Sequence, residues 1–282
     1  MLSTDPKNEE SLKTMRIFSA SLRAVRLSTH VFRALLLACI FPSLGKESQQ
    51  RTMKKWSMEL LEILSVRTHL SGIDAITVNS GKLFAANHIS WLDVFVINAS
   101  TPARFVAKSE VNSWPLVGWL VRRTGTIFIK REFKRDTARV NEVVSNCLAT
   151  GEDIVLFPQG TSTDGTRPVS FHSSMLQGAI DAAVVLHPLA ILYHDSHGAR
   201  IEEVAFTGEM TFLDSLWKIL CLASIDVSIT YLPGIACEGA IRRELAVKSQ
   251  DAINAVLATQ NQVNAKLSVQ SLSQLETKLS SL

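Results

Sequence analysis

From about residue 13 to residue 41, apolar positions recur at helical spacing with basic residues between them, and Phe41-Pro42-Ser43 closes the run. A second helix is expected over about 49–66, with Trp56, Leu60, Leu61 and Leu64 at helical spacing and Ser71-Gly72 as the break. Beyond that point the pattern changes to short apolar runs alternating with helical segments. Residues 76–78, 83–86, 105–107, 126–129, 154–157 and 184–193 read as strands, the last of them despite Pro188. Residues 90–99, 138–149 and 173–183 read as helices, 217–232 as helix and strand, and 241–267 as an Ala-rich amphipathic helix or pair. Strands alternating with helices predict an α/β fold: a central, mostly parallel mixed sheet flanked by helices, with ligands at the strand ends. The expected division is an N-terminal amphipathic helical unit over 1–68, an α/β domain over 69–240 and a helical tail over 241–282.

Composition narrows the classes. With 282 residues, 46% of them apolar and 20% charged, the chain can build a sizeable core and is not globally disordered. A net charge of +3 is too small to argue for nucleic acid. The placement of charge says more. Arg16, Arg23, Arg26, Arg33, Lys46, Arg51, Lys54, Lys55 and Arg67 are interleaved with Leu, Val, Phe and Trp, which suits an anionic membrane surface. The dense apolar run 34–41 is shorter than the ~20 residues a spanning helix needs, so this end is expected to lie in or dip into one leaflet. Cys39, Cys147, Cys221 and Cys237 have no metal-ligand spacing and read as small core residues in a reducing compartment. His194, Asp195 and His197 read as a surface loop after a strand, and no metal site is expected.

The segment Asn87-His88-Ile89-Ser90-Trp91-Leu92-Asp93 follows the strand 83–86 directly. A histidine held by a carboxylate draws a proton off a hydroxyl at neutral pH. Five residues on a regular helix turn through about 500°, which would set His88 and Asp93 about 140° apart. The two can meet only if His88 lies in the loop before the helix. Ser90 as N-cap with Asp93 three residues on fits a capping box and starts the helix after His88. No Gly-x-Ser-x-Gly elbow accompanies the pair, so a serine hydrolase is disfavoured.

Three further segments follow in order: Gly125-Thr126-Ile127-Phe128-Ile129-Lys130-Arg131, Phe157-Pro158-Gln159-Gly160-Thr161-Ser162 and Val185-Leu186-His187-Pro188-Leu189-Ala190. With the His88 segment, they make the chain resemble the glycerolipid acyltransferases of the lysophosphatidate (1-acylglycerol-3-phosphate) acyltransferase type over roughly residues 70–195. The stretch 208–217 is similar to the lyso-ornithine lipid acyltransferase branch. The resemblance implies acyl transfer from acyl-CoA or acyl carrier protein, as co-substrate, to the free hydroxyl of a lysolipid, with no cofactor. It implies His88 as general base, Asp93 as its orienting partner, and backbone N–H groups for the oxyanion. Lys130, Arg131, Gln159, Gly160 and Thr161 would bind the acceptor. It also implies a membrane-embedded two-helix N-terminus, association with the cytoplasmic face of a bacterial inner membrane, and no nucleic-acid partner. One loop departs from the pattern, which is usually Phe-Pro-Glu-Gly-Thr-Arg: Gln159 replaces the glutamate and Ser162 the arginine. Arg167 could supply the missing charge, and a non-catalytic lipid-binding protein of the same fold is the competing reading.

Overall fold

The computed structural model describes residues 6–76, 81–130 and 134–260. Two helices lead: α1 (Pro6–Ile40) and α2 (Lys46–Ile63). The chain then turns at Ser65 (φ +55°) into β1 (Val66–Ser71). The helix expected to reach about residue 66 ends at Ile63, and β1 was not among the expected strands. β1 is an edge strand exposed along all but its first residue, so it carries no apolar alternation to betray it. The expected boundary at 68/69 falls inside it. Of the expected strand 76–78, Ile76 is extended after a 3₁₀ turn and the rest lies outside the described residues.

The remaining elements follow the predicted alternation: β2 (Leu83–Ala86), α3 (Leu92–Ser100), β3 (Arg104–Lys108), α4 (Val117–Arg123), β4 (Ile127–Ile129), α5 (Lys134–Ala149), β5 (Ile154–Leu156), α6 (Gln177–Asp181), β6 (Val185–His194), α7 (Phe212–Cys221), β7 (Ile225–Tyr231), β8 (Ile235–Ala236) and α8 over 242–260. The sheet order is β1-β7-β6-β2-β5-β3-β4, with β8 on β6. Strands β6, β2, β5, β3 and β4 run parallel, while β7 is antiparallel to β6 and β1 parallel to β7. The fold is α/β with a mostly parallel mixed sheet.

Both faces of the sheet are covered, which is why its central strands read as continuous apolar runs. Phe84, Ala86, Val155, Leu189 and Ile191 pack with α1, α2, α3 and α7, and Leu83, Ala85, Ile154, Leu156 and Leu192 with α5, α6 and α8. Pro188 is tolerated in a central strand because pairing on that side passes there from β8, opposite Val185 and Leu186, to β7, which begins opposite Leu189. The missing N–H falls in the gap. The five parallel strands end at one edge, where the segments that follow β2, β5 and β6 are hydrogen-bonded to one another.

Candidate active site at the carboxyl edge of the sheet

The site is built outward from β2. Just past its end, Asn87 is buried and its amide clamps the β6 backbone, donating to Ile191 O at 2.9 Å and accepting from Ile191 N at 2.7 Å. The side chain thus continues the β2–β6 ladder one step beyond the strand and fixes where His88 leaves it. His88 lies in the irregular segment before α3, as the spacing argument required. Its Nδ1 sits 2.7 Å from Asp93 Oδ2.

Asp93 is fully buried at the start of α3 and fully engaged. Its Oδ2 also accepts from Ile89 N at 2.8 Å and Ser90 N at 3.0 Å, and its Oδ1 accepts from the Tyr193 hydroxyl at 2.7 Å. One oxygen therefore serves both the helix start and His88. Only half of the expected capping box forms. Asp93 reaches back to the Ser90 N–H, but the Ser90 hydroxyl is buried without a hydrogen-bond partner among the described residues, and Trp91 is the cap position. Four donors on one carboxylate hold it in a single orientation.

With Nδ1 bonded to Asp93, the Nδ1–H tautomer is favoured and Nε2 keeps its lone pair. The ring stacks on Phe157 at 4.1 Å between centroids, 15° from parallel. It remains about one-fifth exposed, enough to be reached from outside. His88 N donates to Gln159 Oε1 at 2.6 Å, and His88 O accepts from Thr163 N at 2.9 Å. His88 is thus held by groups from α3 and from the segment after β5, with β6 bracing both Asn87 and Asp93.

The sequence matches the family described as Acyltransferase over residues 67–192. It is 32% identical to a lyso-ornithine lipid O-acyltransferase of Pseudomonas aeruginosa over 209 residues, which covers 74% of this chain and 79% of that protein. The chain belongs to the acyltransferase family. A 1-acyl-sn-glycerol-3-phosphate acyltransferase of Neisseria meningitidis is 30% identical to it, over 75% of this chain and 83% of that one. The fold is that of the 1-acyl-sn-glycerophosphate acyltransferase of Thermotoga maritima, with a TM-score of 0.64 at 16% identity, covering 88% of this chain and 97% of that one.

In this acyltransferase the loop after β5 turns at Gly160 (φ +86°), where a side chain would be strained, and folds back on the His88 segment. Gln159, expected to bind the acceptor, has its carbonyl oxygen on His88 N and its amide nitrogen 3.4 Å from Thr163 Oγ1. The Ser162 hydroxyl donates to Phe206 O, and Phe206 N donates to Ile89 O at 2.9 Å, so the residue at the arginine position is drawn into the scaffold. Thr161 and Arg167 are exposed. Lys130 is exposed at the end of β4, its backbone N–H donating to Asp136. The Arg139 guanidinium, with that N–H, holds the Asp136 carboxyl below its ordinary range. Arg131 lies outside the described residues.

Two residues that bond to this candidate site, Tyr193 and Arg200, carry no signal in the sequence. Tyr193 reads as one more core residue of β6, and nothing in its pattern points across the sheet to Asp93. Arg200 donates to Gly165 O in the loop after β5. With Arg167 it adds to the bonds from Thr166 that hold the Asp164 carboxyl below its usual value. Among the cysteines, Cys39 departs from expectation by lying exposed on α1, while Cys147 and Cys237 are buried.

Proposed function

We propose that the protein transfers a fatty acyl group from a thioester donor, acyl-CoA or acyl carrier protein, to the hydroxyl of a lysolipid, with 1-acyl-sn-glycerol-3-phosphate as acceptor and phosphatidate as product. The observation that carries this is the His88–Asp93 pair, its imidazole partly exposed, at the carboxyl edge of an acyltransferase sheet. Nε2 takes the proton of the acceptor hydroxyl as its oxygen attacks the thioester carbonyl. Asp93 stabilises the imidazolium that forms. The tetrahedral intermediate collapses, the carbon–sulfur bond breaks, and the leaving thiolate receives the proton from Nε2. No acyl-enzyme forms.

Lys130 and Arg131 after β4, with Gly160, Thr161 and Arg167 after β5, are the groups that would meet the acceptor headgroup. β4 lies three strands from β2, about 14 Å at sheet spacing, so Lys130 would meet the far end of an acceptor rather than its hydroxyl. One observation favours a second acceptor, lyso-ornithine lipid: Ser162 replaces a phosphate-binding arginine and is bonded inward to Phe206. A relative named for that reaction is 32% identical.

Membrane association belongs to the same reading. Thr14–Ser43 is long and apolar enough to cross a membrane by length and composition, a longer stretch than the 34–41 run singled out in the sequence. Its inner side is nevertheless packed on the protein: Ala20, His30, Ala34 and Ala38 are buried, and the Arg23 guanidinium caps the last carbonyls of α7, at 3.2 Å from Leu220 O and 2.5 Å from Leu222 O. Those contacts support a helix lying along the interface, on the cytoplasmic face where acyl donors are supplied.

The test uses purified protein with labelled acyl donor and a panel of lysolipids, and identifies the product by mass. His88→Ala is expected to lower transfer by at least about 10³-fold while the protein stays folded. A well-folded His88→Ala protein with near-normal activity would sink the mechanism. A product from lyso-ornithine lipid alone would replace the acceptor and keep the chemistry.

A further inference from the structure

The His88 peptide is gripped at both its N–H and its C=O by one side-chain bridge. Gln159 Oε1 accepts from His88 N at 2.6 Å, and Gln159 Nε2 lies 3.4 Å from Thr163 Oγ1. Thr163 then donates twice to His88 O, from its N–H at 2.9 Å and from its hydroxyl at 3.3 Å. The donors run in one direction: amide N–H to hydroxyl oxygen, hydroxyl hydrogen to His88 carbonyl. An amide at 159 can both accept from His88 N–H and donate to Thr163, which an ionised carboxylate cannot. A glutamate there would accept from both, turning the Thr163 hydroxyl away from His88 O. Phe157, two residues earlier, supplies the face on which the imidazole stacks.

We propose that Gln159 is a positioning residue that acts through the backbone of His88, not a ligand of the acceptor headgroup, and that Thr163 completes its action. The proposal rests on the reading of His88 as the base. Its consequence is that the glutamine is matched to Thr163, and restoring the family's glutamate would not improve the enzyme. Catalytic geometry is sensitive at this scale: about 1 Å of misplacement costs on the order of a hundredfold in rate.

The experiment compares the full-length wild type with Gln159→Leu and Gln159→Glu, at a temperature where circular dichroism shows all three folded. Initial rates give kcat and the KM for lysolipid. Amide hydrogen exchange of the peptide spanning His88 gives a readout independent of activity. For Gln159→Leu, kcat is expected to fall about 10–100-fold with the lysolipid KM within about twofold, and protection around His88 to fall at least about tenfold. Gln159→Glu is expected to fall between the two in both measurements. If the leucine variant does not fold, Thr163→Val, with rescue by Thr163→Ser, takes its place. A raised lysolipid KM at unchanged kcat assigns Gln159 to the acceptor and overturns the proposal. Unchanged exchange overturns it whatever the activity. Loss of activity on every lysolipid in wild type as well, with exchange still altered in the variants, would count against the reaction and leave the clamp standing.

Discussion

Tyr193 braces the His88–Asp93 pair from the far side of the carboxylate. Its hydroxyl donates to Asp93 Oδ1 at 2.7 Å inside the core. Burial, with the Asp93 carboxylate beside it, pushes the phenol well above its ordinary value, so it remains a donor throughout the neutral range. Tyr193→Phe leaves Oδ1 buried without its donor. The expected cost is about 1–3 kcal/mol of stability, seen in urea denaturation. At saturating lysolipid, kcat should fall roughly tenfold, about 1.4 kcal/mol of barrier, with KM little changed. Full kcat in the phenylalanine variant would show that the backbone N–H bonds from Ile89 and Ser90 suffice to hold the carboxylate. His88 and Asp93 were legible because both sit within one short segment. Tyr193 was not, because it lies 100 residues away and its contact exists only once β6 is laid beside β2. The loop that carries Gln159 was legible, but its bond to His88 N was not: spacing locates a loop, whereas what a flexible amide bonds depends on which backbone arrives opposite it.

At the scale of elements, the edge formed by β1 is held by charge rather than by apolar burial. Asp226 on β7 is buried and bonds the Arg67 guanidinium at 2.6 and 3.0 Å and the His69 ring at 2.7 Å, both from β1. The Arg67 bonds, opposed by burial and joined by His69, hold the Asp226 carboxyl below its ordinary value. A carboxyl depressed in the folded state adds stability above the unfolded value, about pH 4, and that stability is lost as pH falls toward the folded value. Asp226→Asn should therefore lower stability by about 1–2 kcal/mol at pH 7, and the difference from wild type should close below about pH 4. A constant difference across that range in thermal melts would mean that packing, not ionisation, accounts for it. The same chemistry explains why β1 was missed. Central strands such as β2 and β5 are apolar on both faces and stand out in the sequence, while an edge strand reading Arg-Thr-His-Leu-Ser shows its purpose only opposite β7.

At the scale of the whole molecule, α1 carries two unlike sides. One is packed on α2 and α7. The other presents Met15, Phe18, Leu22, Val25, Phe32 and Leu36, spaced by three, four or seven residues and each more than half exposed, over about 32 Å of the helix. A stripe of that length left in water is costly, and a monomeric soluble protein rarely keeps one. Seating it in the acyl boundary of a bilayer would set α1 along the membrane plane, with the anchoring contacts of Arg23 to α7 undisturbed. Changing Phe18, Leu22 and Val25 together to Ser tests this, because none of the three belongs to the buried core and the fold should survive. Each buried apolar side chain of this size contributes at least about 1.5 kcal/mol, so the three together should weaken partitioning by about a thousandfold. Co-sedimentation with vesicles of mixed neutral and anionic lipid measures this directly. Transfer to a lysolipid dissolved below its aggregation concentration should be nearly unaffected, since the altered side chains are remote from His88 in sequence and outside its bonded network. If the triple variant sediments like wild type, the stripe is not the membrane contact. If it loses transfer to the dissolved acceptor as well, α1 shapes the site itself, and its packing against α7 rather than its outer face becomes the feature that matters.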